Sequence, residues 1–322
     1  MATIIERLRW DDPAAVDFFV NMSWETEREN GLVRVDGSVV EQAKHRDELL
    51  GFVEDQTAKA VFCAIEDGQR VGLAWVAATE PGEPWDLSPP YAWIYDVRVD
   101  PAHRRRGYAM RLLDSARAWS AEHGFDRIGL HVFDRNRAAL ALYEAAGFRT
   151  RNAYYQRTVG ATGSGAASGA TMSRVDDLAD ESRTLIRQRF VALAHALAPA
   201  ASEAEIDKEY AVYEERFGSR PRTEIRIEAR GTERELLGCA WGYASSGDVV
   251  ADRYVWLRDL CVADVVDAKA TMQDLLAGVE EWAVEQGLTA VRVPAHALES
   301  VLLQTLDRVG YRPTNRFLFR AV

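Results

Sequence analysis

The sequence predicts an α/β (α+β) protein that carries one mixed-sheet fold twice, in tandem. Three observations support this. Strand-like and helix-like segments alternate along the chain. One stretch, "TVGATGSGAASGATMS" from Thr158 to Ser173, is almost entirely Gly, Ala, Ser and Thr, the composition of a flexible linker. The segments on either side of it repeat one another at a constant offset of 163 residues.

At that offset Tyr91 falls on Tyr254, Trp93 on Trp256 and Asp96 on Asp259. Leu112, Leu113 and Trp119 fall on Leu275, Leu276 and Trp282, and Gly124, Gly147, Asn152 and Arg157 on Gly287, Gly310, Asn315 and Arg320. Identities that hold one register this far mark a duplication. They divide the chain into residues 1–159, a linker over 160–170, and residues 171–322.

In the first half, "KAVFCAI" and "VGLAWVAA" flank the turn "EDGQR" and predict an antiparallel hairpin. "YAWIYDVRV", Tyr91–Val99, is rich in aromatic and β-branched residues and predicts a central strand. From Tyr108 to Glu122, Met110, Leu113 and Ala116 recur at helical spacing, and Gly124 supplies the stop. "RIGLHVF" follows as a strand, "NRAALALYEAAG" as a helix and "YYQRTV" as a closing strand.

Composition narrows the function. The 322 residues are 48% hydrophobic, enough for two packed cores. A net charge of −11 and a pI near 5.2 argue against a nucleic-acid binder or an anionic-membrane binder and suit a cationic partner. Only four of the 39 basic residues are lysines. Cys63, Cys239 and Cys261 are odd in number, far apart in sequence and set among apolar neighbours, which reads as buried free thiols without zinc-site spacing. No apolar run reaches membrane-spanning length and the N-terminus lacks a signal-peptide core, so a cytoplasmic location is expected.

The stretch "AHRRRGYAMRLL", Ala102–Leu113, lies between a strand and a helix. Such a junction points unpaired N–H groups outward at the positive end of the helix dipole. Gly107 would let the main chain approach an anion, and Ala109 keeps the first turn free of bulk. Solvated arginines at an exposed helix start would produce the same pattern.

Arg104-Arg105-Arg106-Gly107-Tyr108-Ala109 has the form Arg/Gln-x-x-Gly-x-Gly/Ala, directly after the strand "DVRVDP". Asn136, Ala139-Leu140, Leu142-Tyr143 and Gly147-Phe148 follow it. Over residues 91–150 the chain resembles the GNAT superfamily of acyl-CoA-dependent N-acyltransferases. The rest of the first half resembles it more loosely, and the second half through the repeat alone. The resemblance implies two GNAT-like domains, each a mixed, mostly antiparallel sheet with splayed parallel central strands and flanking helices.

It also implies an acetyl-CoA site without a metal. The amides of Arg105 to Ala109, with Arg104 beside them, would hold the pyrophosphate. Main-chain groups of Val97 and Val99 would pair with the pantetheine arm, and Asn136 would contact the cofactor across the cleft. The Val97 amide would polarise the thioester carbonyl for direct attack through a tetrahedral intermediate. Tyr143 matches a tyrosine that protonates the leaving sulfur, although a helix-face tyrosine equally suits a core. The strand glutamate of many relatives is replaced here by Tyr95. A second glutamate position is occupied by His131, a candidate base or simply a histidine packed on a strand. Asp96 adjoins the cleft, but its persistence as Asp259 favours a structural role. Trp24, Glu25 and Glu27 in "MSWETEREN", together with Tyr95, are the candidate acceptor residues, and a solvated helix end is the alternative for that run.

In the second half Arg104, Gly107 and Ala109 become Asp267, Ala270 and Met272, while His131, Asn136 and Tyr143 become Pro294, Glu299 and Leu306. That half is expected to be a degenerate, non-catalytic copy packed within the same chain, as a monomer or homodimer. The expected activity is N-acetylation, or another short-acyl transfer, on a small-molecule amine. A mycothiol-synthase-like enzyme, a protein N-acetyltransferase and an acyl-CoA-binding regulatory module without turnover remain alternatives.

Overall fold

A computed structural model describes residues 4–30, 39–82, 85–160, 168–218, 223–246, 253–264 and 267–322. Residues 161–167 of the expected linker lie outside the described residues. The chain forms two compact units. Unit 1 contains Met1–Glu80, Pro89–Thr150 and Phe317–Val322, and unit 2 contains Pro81–Ser88 and Arg151–Arg316. The units therefore cut across the linker. Each half of the sequence contributes its closing strand to the unit that the other half builds.

Unit 1 begins with β1 (Ile4–Arg7), α1 (Pro13–Asn30) and α2 (Val39–Glu54), followed by β2 (Lys59–Glu66) and β3 (Gln69–Thr79). The expected hairpin joins β2 to β3 through Asp67 and Gly68, at φ 49° and 80°. Two left-handed residues are what a tight two-residue hairpin needs. Next come β4 (Tyr91–Val99), a 3-10 turn over Pro101–His103, α3 (Tyr108–Glu122), β5 (Arg127–Phe133) and α4 (Arg137–Ala145). The strands run in the order β1-β2-β3-β4-β5.

Alternation along the strands makes three layers. Val61, Cys63, Leu73 and Trp75 face Phe19, Val20, Leu49 and Val53 of α1 and α2. On the opposite face Ala60, Val76, Ala92, Ile94, Ile128 and Leu130 meet Leu113, Ala116 and Trp119 of α3 and Leu140 of α4. The unit is closed by the C-terminal residues: Leu318 joins this core, and the Val322 N–H donates to the Asp126 carbonyl. Gly129 is required at this seam. A Cβ there would lie 2.6 Å from the Phe319 ring and 2.8 Å from Trp93.

Two irregularities create the site. Between Trp75 opposite Asp96 and Val76 opposite Ile94 the β3–β4 register slips, leaving Tyr95 as a bulged residue. The parallel partners β4 and β5 pair only over Ala92–Ile94 and Ile128–Leu130. Beyond that, β4 continues to Val99 and β5 to Phe133 without pairing to each other. The central strands splay there, as the resemblance implies.

Unit 2 repeats the order. It has β6 (Arg149–Thr158, from Arg151 onward), β7 (Thr171–Arg174), α5 (Asp180–Leu197), α6 (Glu203–Gly218), β8 (Glu224–Arg230) and β9 (Leu236–Ser246). It continues with β10 (Arg253–Val262), α7 (Ala268–Glu285), β11 (Ala290–His296), α8 (Ser300–Arg308) and the first residues of β12 (Arg312–Ala321). Strand order is β6-β11-β10-β9-β8-β7, with β10 and β11 parallel only over Tyr254–Trp256 and Ala290–Arg292. The bulge recurs at Arg258, between Leu257 and Asp259. Trp85, in the insertion between β3 and β4, is buried in this unit against Phe190 and Tyr213. Cys239 and Cys261, distant in sequence, are directly opposite each other on β9 and β10. All three cysteines are buried. Among the described residues no helix is long and apolar enough to cross a membrane.

Candidate active site

The bulge and the splay open two adjoining cavities in unit 1. The first, about 470 Å³, is lined on the strands by Trp75, Ile94, Tyr95, Asp96, Val97, His131 and Phe133. Helix α1 contributes Ser23, Thr26 and Glu27, and α2 contributes His45, Glu48, Leu49 and Phe52. These are positions i, i+3, i+4 on each helix, one face turned inward. The second cavity, about 530 Å³, is lined by Val97, Arg98, Val99, His103, Arg104, Arg105, Gly107, Tyr108 and Ala109. Thr26, Val97, Asn136, Ala139 and Tyr143 line both.

Asp96 lines the first cavity, 8% exposed, with both carboxylate oxygens accepting from the hydroxyl of Thr26, which lines both cavities, at 3.2 and 3.1 Å. Burial pushes its pKa up to about 7, against the downward pull of the Thr26 hydroxyl, the Arg98 charge and the Val97 amide. A carboxyl at that value changes charge at neutral pH. The Val97 N–H, expected at an oxyanion, is engaged here by Asp96. His131 differs. Burial pulls its imidazole down to about 4, and its Nε2 has no hydrogen-bond partner. The ring packs between Phe133 and Phe317, at 4.9 and 5.2 Å between centroids. Such an imidazole is neutral and only weakly basic at pH 7.

Tyr143 is 8% exposed on α4. Burial first, and then the Asp96 charge, raise its phenol above the ordinary value of 10. Asn136 caps α4, its side-chain oxygen accepting from the Ala139 N–H at 3.1 Å. Fixing that oxygen leaves the amide NH2 as its remaining donor.

The loop before α3 has the conformation that the arginine–glycine stretch suggests. Gly107, the N-cap, is at φ 84°, and Arg105 is also left-handed at φ 65°. A Cβ at Gly107 would meet nothing within 4 Å, so backbone conformation and not space calls for glycine. The N–H groups of Tyr108, Ala109 and Met110 precede the first helical hydrogen bond, which Arg111 donates to the Gly107 carbonyl at 3.2 Å. A positive-φ glycine, free amides and two arginines beside a long cavity fit the pyrophosphate arm of an acyl-CoA. Arg104 is held by the Val99 carbonyl, to which its Nε donates at 3.0 Å. Arg106 turns away, paired with Glu66 at 3.0 Å, and does not line the cavity.

Of the candidate acceptor residues, Tyr95 and Glu27 line the first cavity. Trp24 and Glu25 do not: Trp24 is core, 5.2 Å from the His45 ring, and Glu25 pairs with Arg28 on the surface at 3.0 Å. Helical periodicity is the reason, since a 100° step between neighbours cannot direct residues 24, 25 and 27 the same way. Sequence reading missed Thr26, His45, Glu48, Phe52 and Trp75. The spacing 23/26/27 and 45/48/49/52 was the available signal.

In unit 2 the matching region is filled by paired charges. Arg189 donates to Glu299 at 2.7 Å and to Asp259 at 3.5 Å, and the Tyr213 hydroxyl donates to Asp259 at 3.0 Å. Arg258, in the place of Tyr95, stacks 3.9 Å from the Trp241 ring centroid and 4.0 Å from that of Tyr213. Helix α7 starts from Asp267 at φ −109°, and no described residue at its start has a positive φ. Among the described residues no cluster of three or more His, Cys, Asp or Glu could hold a metal.

Residues 17–148 match the acetyltransferase (GNAT) family. The chain is 35% identical over 85 residues to the uncharacterized N-acetyltransferase YycN of Bacillus subtilis, an overlap of 26% of this chain and 51% of that protein. It is 34% identical over 87 residues to a mycothiol acetyltransferase of Thermobispora bispora, 27% of this chain and 29% of that one. The chain thus spans about half the length of the first relative and under a third of the second. A GCN5-related glucosamine N-acetyltransferase region in a fungal multi-domain GH3 β-N-acetylglucosaminidase superposes with a TM-score of 0.51 at 15% identity, over 99% of this chain and 38% of that one. At that identity the likeness is one of fold. The match to the acetyltransferase (GNAT) family is carried by residues 17–148, and the same segment carries the lining of both cavities.

Proposed function

We propose that unit 1 transfers an acetyl or other short acyl group from acyl-CoA to the amine of a small molecule. One observation carries the reading. A buried carboxyl that titrates near neutrality lines the acidic cavity, and a buried phenol lines both that cavity and the arginine-flanked one. Relatives named N-acetyltransferase and mycothiol acetyltransferase support the reaction class.

In this reading the acyl-CoA supplies the thioester. The amides at the start of α3, with Arg104 and Arg105, bind its phosphates. Val97 and Val99 offer main-chain groups along the unpaired edge of β4, and the Asn136 amide reaches the same channel. Asp96 takes the ammonium proton, which frees the nitrogen lone pair to form the C–N bond. The base role moves here from His131 to Asp96, because the carboxyl is matched to neutral pH and the imidazole is not. Tyr143 directs its hydroxyl proton at the sulfur as the C–S bond breaks.

Release of free thiol from acetyl-CoA, measured against a panel of primary amines, tests the reading. Amine-dependent release supports it. Tight acetyl-CoA binding without release to any amine would leave the regulatory-module alternative in its place.

A further inference from the structure

We infer that Thr26 is the positioning residue of Asp96, with a hydroxyl that serves the carboxyl in both charge states. It donates to the carboxylate; it accepts from the carboxylic acid while its own proton turns to the Met22 carbonyl. This rests on the reading of Asp96 as the base of unit 1, and extends it to the side chain that lets a buried carboxyl change charge.

A count of protons carries the inference. Thr26 Oγ1 lies 3.0 Å from the Met22 carbonyl oxygen, 3.2 Å from Asp96 Oδ1 and 3.1 Å from Asp96 Oδ2. Three acceptor oxygens surround a hydroxyl with one proton to give and two lone pairs to receive with. They cannot all be served at once. With Asp96 ionised the proton goes to the carboxylate, because charge-assisted bonds are roughly twice as strong as neutral ones. With Asp96 protonated the carboxyl becomes a buried donor, and Thr26 Oγ1 is within reach of either of its oxygens. The Thr26 proton then has the Met22 carbonyl, four residues back on α1, as its partner. Neither state strands a buried polar group, which is the condition for a buried carboxyl to titrate without rearrangement.

The place of Thr26 on α1 fixes this arrangement. A helical threonine bonded to its i−4 carbonyl is held in one of the two rotamers open to it. From there the hydroxyl reaches β4, and the residue lines both cavities.

The other groups around Asp96 cannot serve both states. On β4 the Val97 N–H reaches the carboxyl, but an amide only donates. Arg98 attracts the carboxylate from the same strand, with its guanidinium bonded to Glu29 at 2.9 Å. Glu27 on α1 acts in the opposite sense. Tyr143 on α4 senses the Asp96 charge, and His45 and Glu48 of α2 and His131 of β5 line the same cavity. The side-chain hydrogen bonds to the Asp96 carboxyl among the described residues come from Thr26.

The test is a 13C NMR titration of the full chain from about pH 5 to about pH 9, with the Asp96 carboxyl assigned by its loss in Asp96→Asn. In the parent, the Met22 carbonyl should shift with the same midpoint as the Asp96 carboxyl, because the Thr26 proton leaves one as the other ionises. In Thr26→Val and in Thr26→Ala the carboxyl midpoint should rise by about one pH unit, an about tenfold gain in proton affinity, since the ionised state loses the stronger bond. The Met22 carbonyl should then be silent. Thr26→Ser should restore both signals. A Met22 carbonyl that does not titrate in the parent, or one that still titrates without the hydroxyl, would overturn the inference. So would a carboxyl midpoint unmoved in Thr26→Val and Thr26→Ala. The pH profile of kcat/KM separates the two readings. A carboxyl midpoint that rises in Thr26→Val without carrying the kinetic limb with it defeats the base assignment alone.

Discussion

Asp96 and Tyr143 line one cavity, and the charge on the carboxylate of the first helps hold the phenol proton on the second. Proton uptake by Asp96 removes that charge. In the proposed reaction the Tyr143 hydroxyl then becomes the better donor as the sulfur leaves, which would couple base and acid in the productive order.

The carboxyl therefore sets the pH dependence. kcat/KM should rise with pH through about 7, where Asp96 loses its proton. Asp96→Asn should lower kcat/KM by roughly 10²–10⁴-fold at pH 7.5 and abolish that limb. His131→Asn should leave the limb in place, because an imidazole held near 4 has already lost its proton. A limb that disappears with His131 and survives Asp96→Asn would reverse the assignment.

The same carboxyl affects stability in the opposite direction. Its folded pKa lies above the ordinary aspartate value of 3.8, so the native state retains a proton that the unfolded chain has released. Stability from this group is full below about pH 4 and is lost as pH rises through about 7. A difference of that size corresponds to on the order of 4 kcal/mol. Thermal unfolding at pH 5 and pH 8 should show Asp96→Asn gaining Tm over the parent at the higher pH. A parent and variant with the same pH trend would show that Asp96 is not buried as a charge.

Tyr143→Phe should reduce kcat by roughly 10²–10⁴-fold with acetyl-CoA affinity little changed. Since burial holds its proton tightly, the loss should persist to pH 9. An unchanged kcat when chemistry is rate-limiting would remove Tyr143 from the reaction.

One acetyl-CoA should bind per chain. The left-handed turn at Gly107 has no counterpart at Asp267–Ala270, and Arg189, Glu299 and Asp259 occupy the corresponding ground in unit 2. Calorimetric stoichiometry near one is expected. Gly107→Glu, strained at φ 84° and of the wrong charge, should abolish binding. A second equivalent that survives it would overturn the view of unit 2 as a silent copy.

Much of unit 1 was legible because its signals are local. The strand Tyr91–Val99 and the helix Tyr108–Glu122 begin and end where alternation, helical spacing and glycine place them. The Arg105–Ala109 turn was legible because a positive φ selects glycine. The structural role expected of Asp96 rested on its repeat partner, and the surroundings of the two differ. Its repeat partner Asp259 is buried too, but among Arg189, Arg258 and Tyr213, whereas Asp96 has a hydroxyl and open cavity. Identity at a position does not disclose the company it keeps. Strand exchange was invisible for a similar reason: "YYQRTV" alternates in the same way whether it pairs within its own half or, as here, with Ala290–His296.

That exchange fixes the order in which the protein can be made. Residues 317–322 belong to unit 1, and Gly129 is small so that Phe319 can reach it. A ribosome that has finished residue 159 has therefore made every proposed catalytic side chain but not the unit that holds them. The proposed catalytic unit must wait, one strand short, while the whole second copy is translated. A stop codon in the linker would therefore remove most of unit 2 and take residues 317–322 from unit 1 with it.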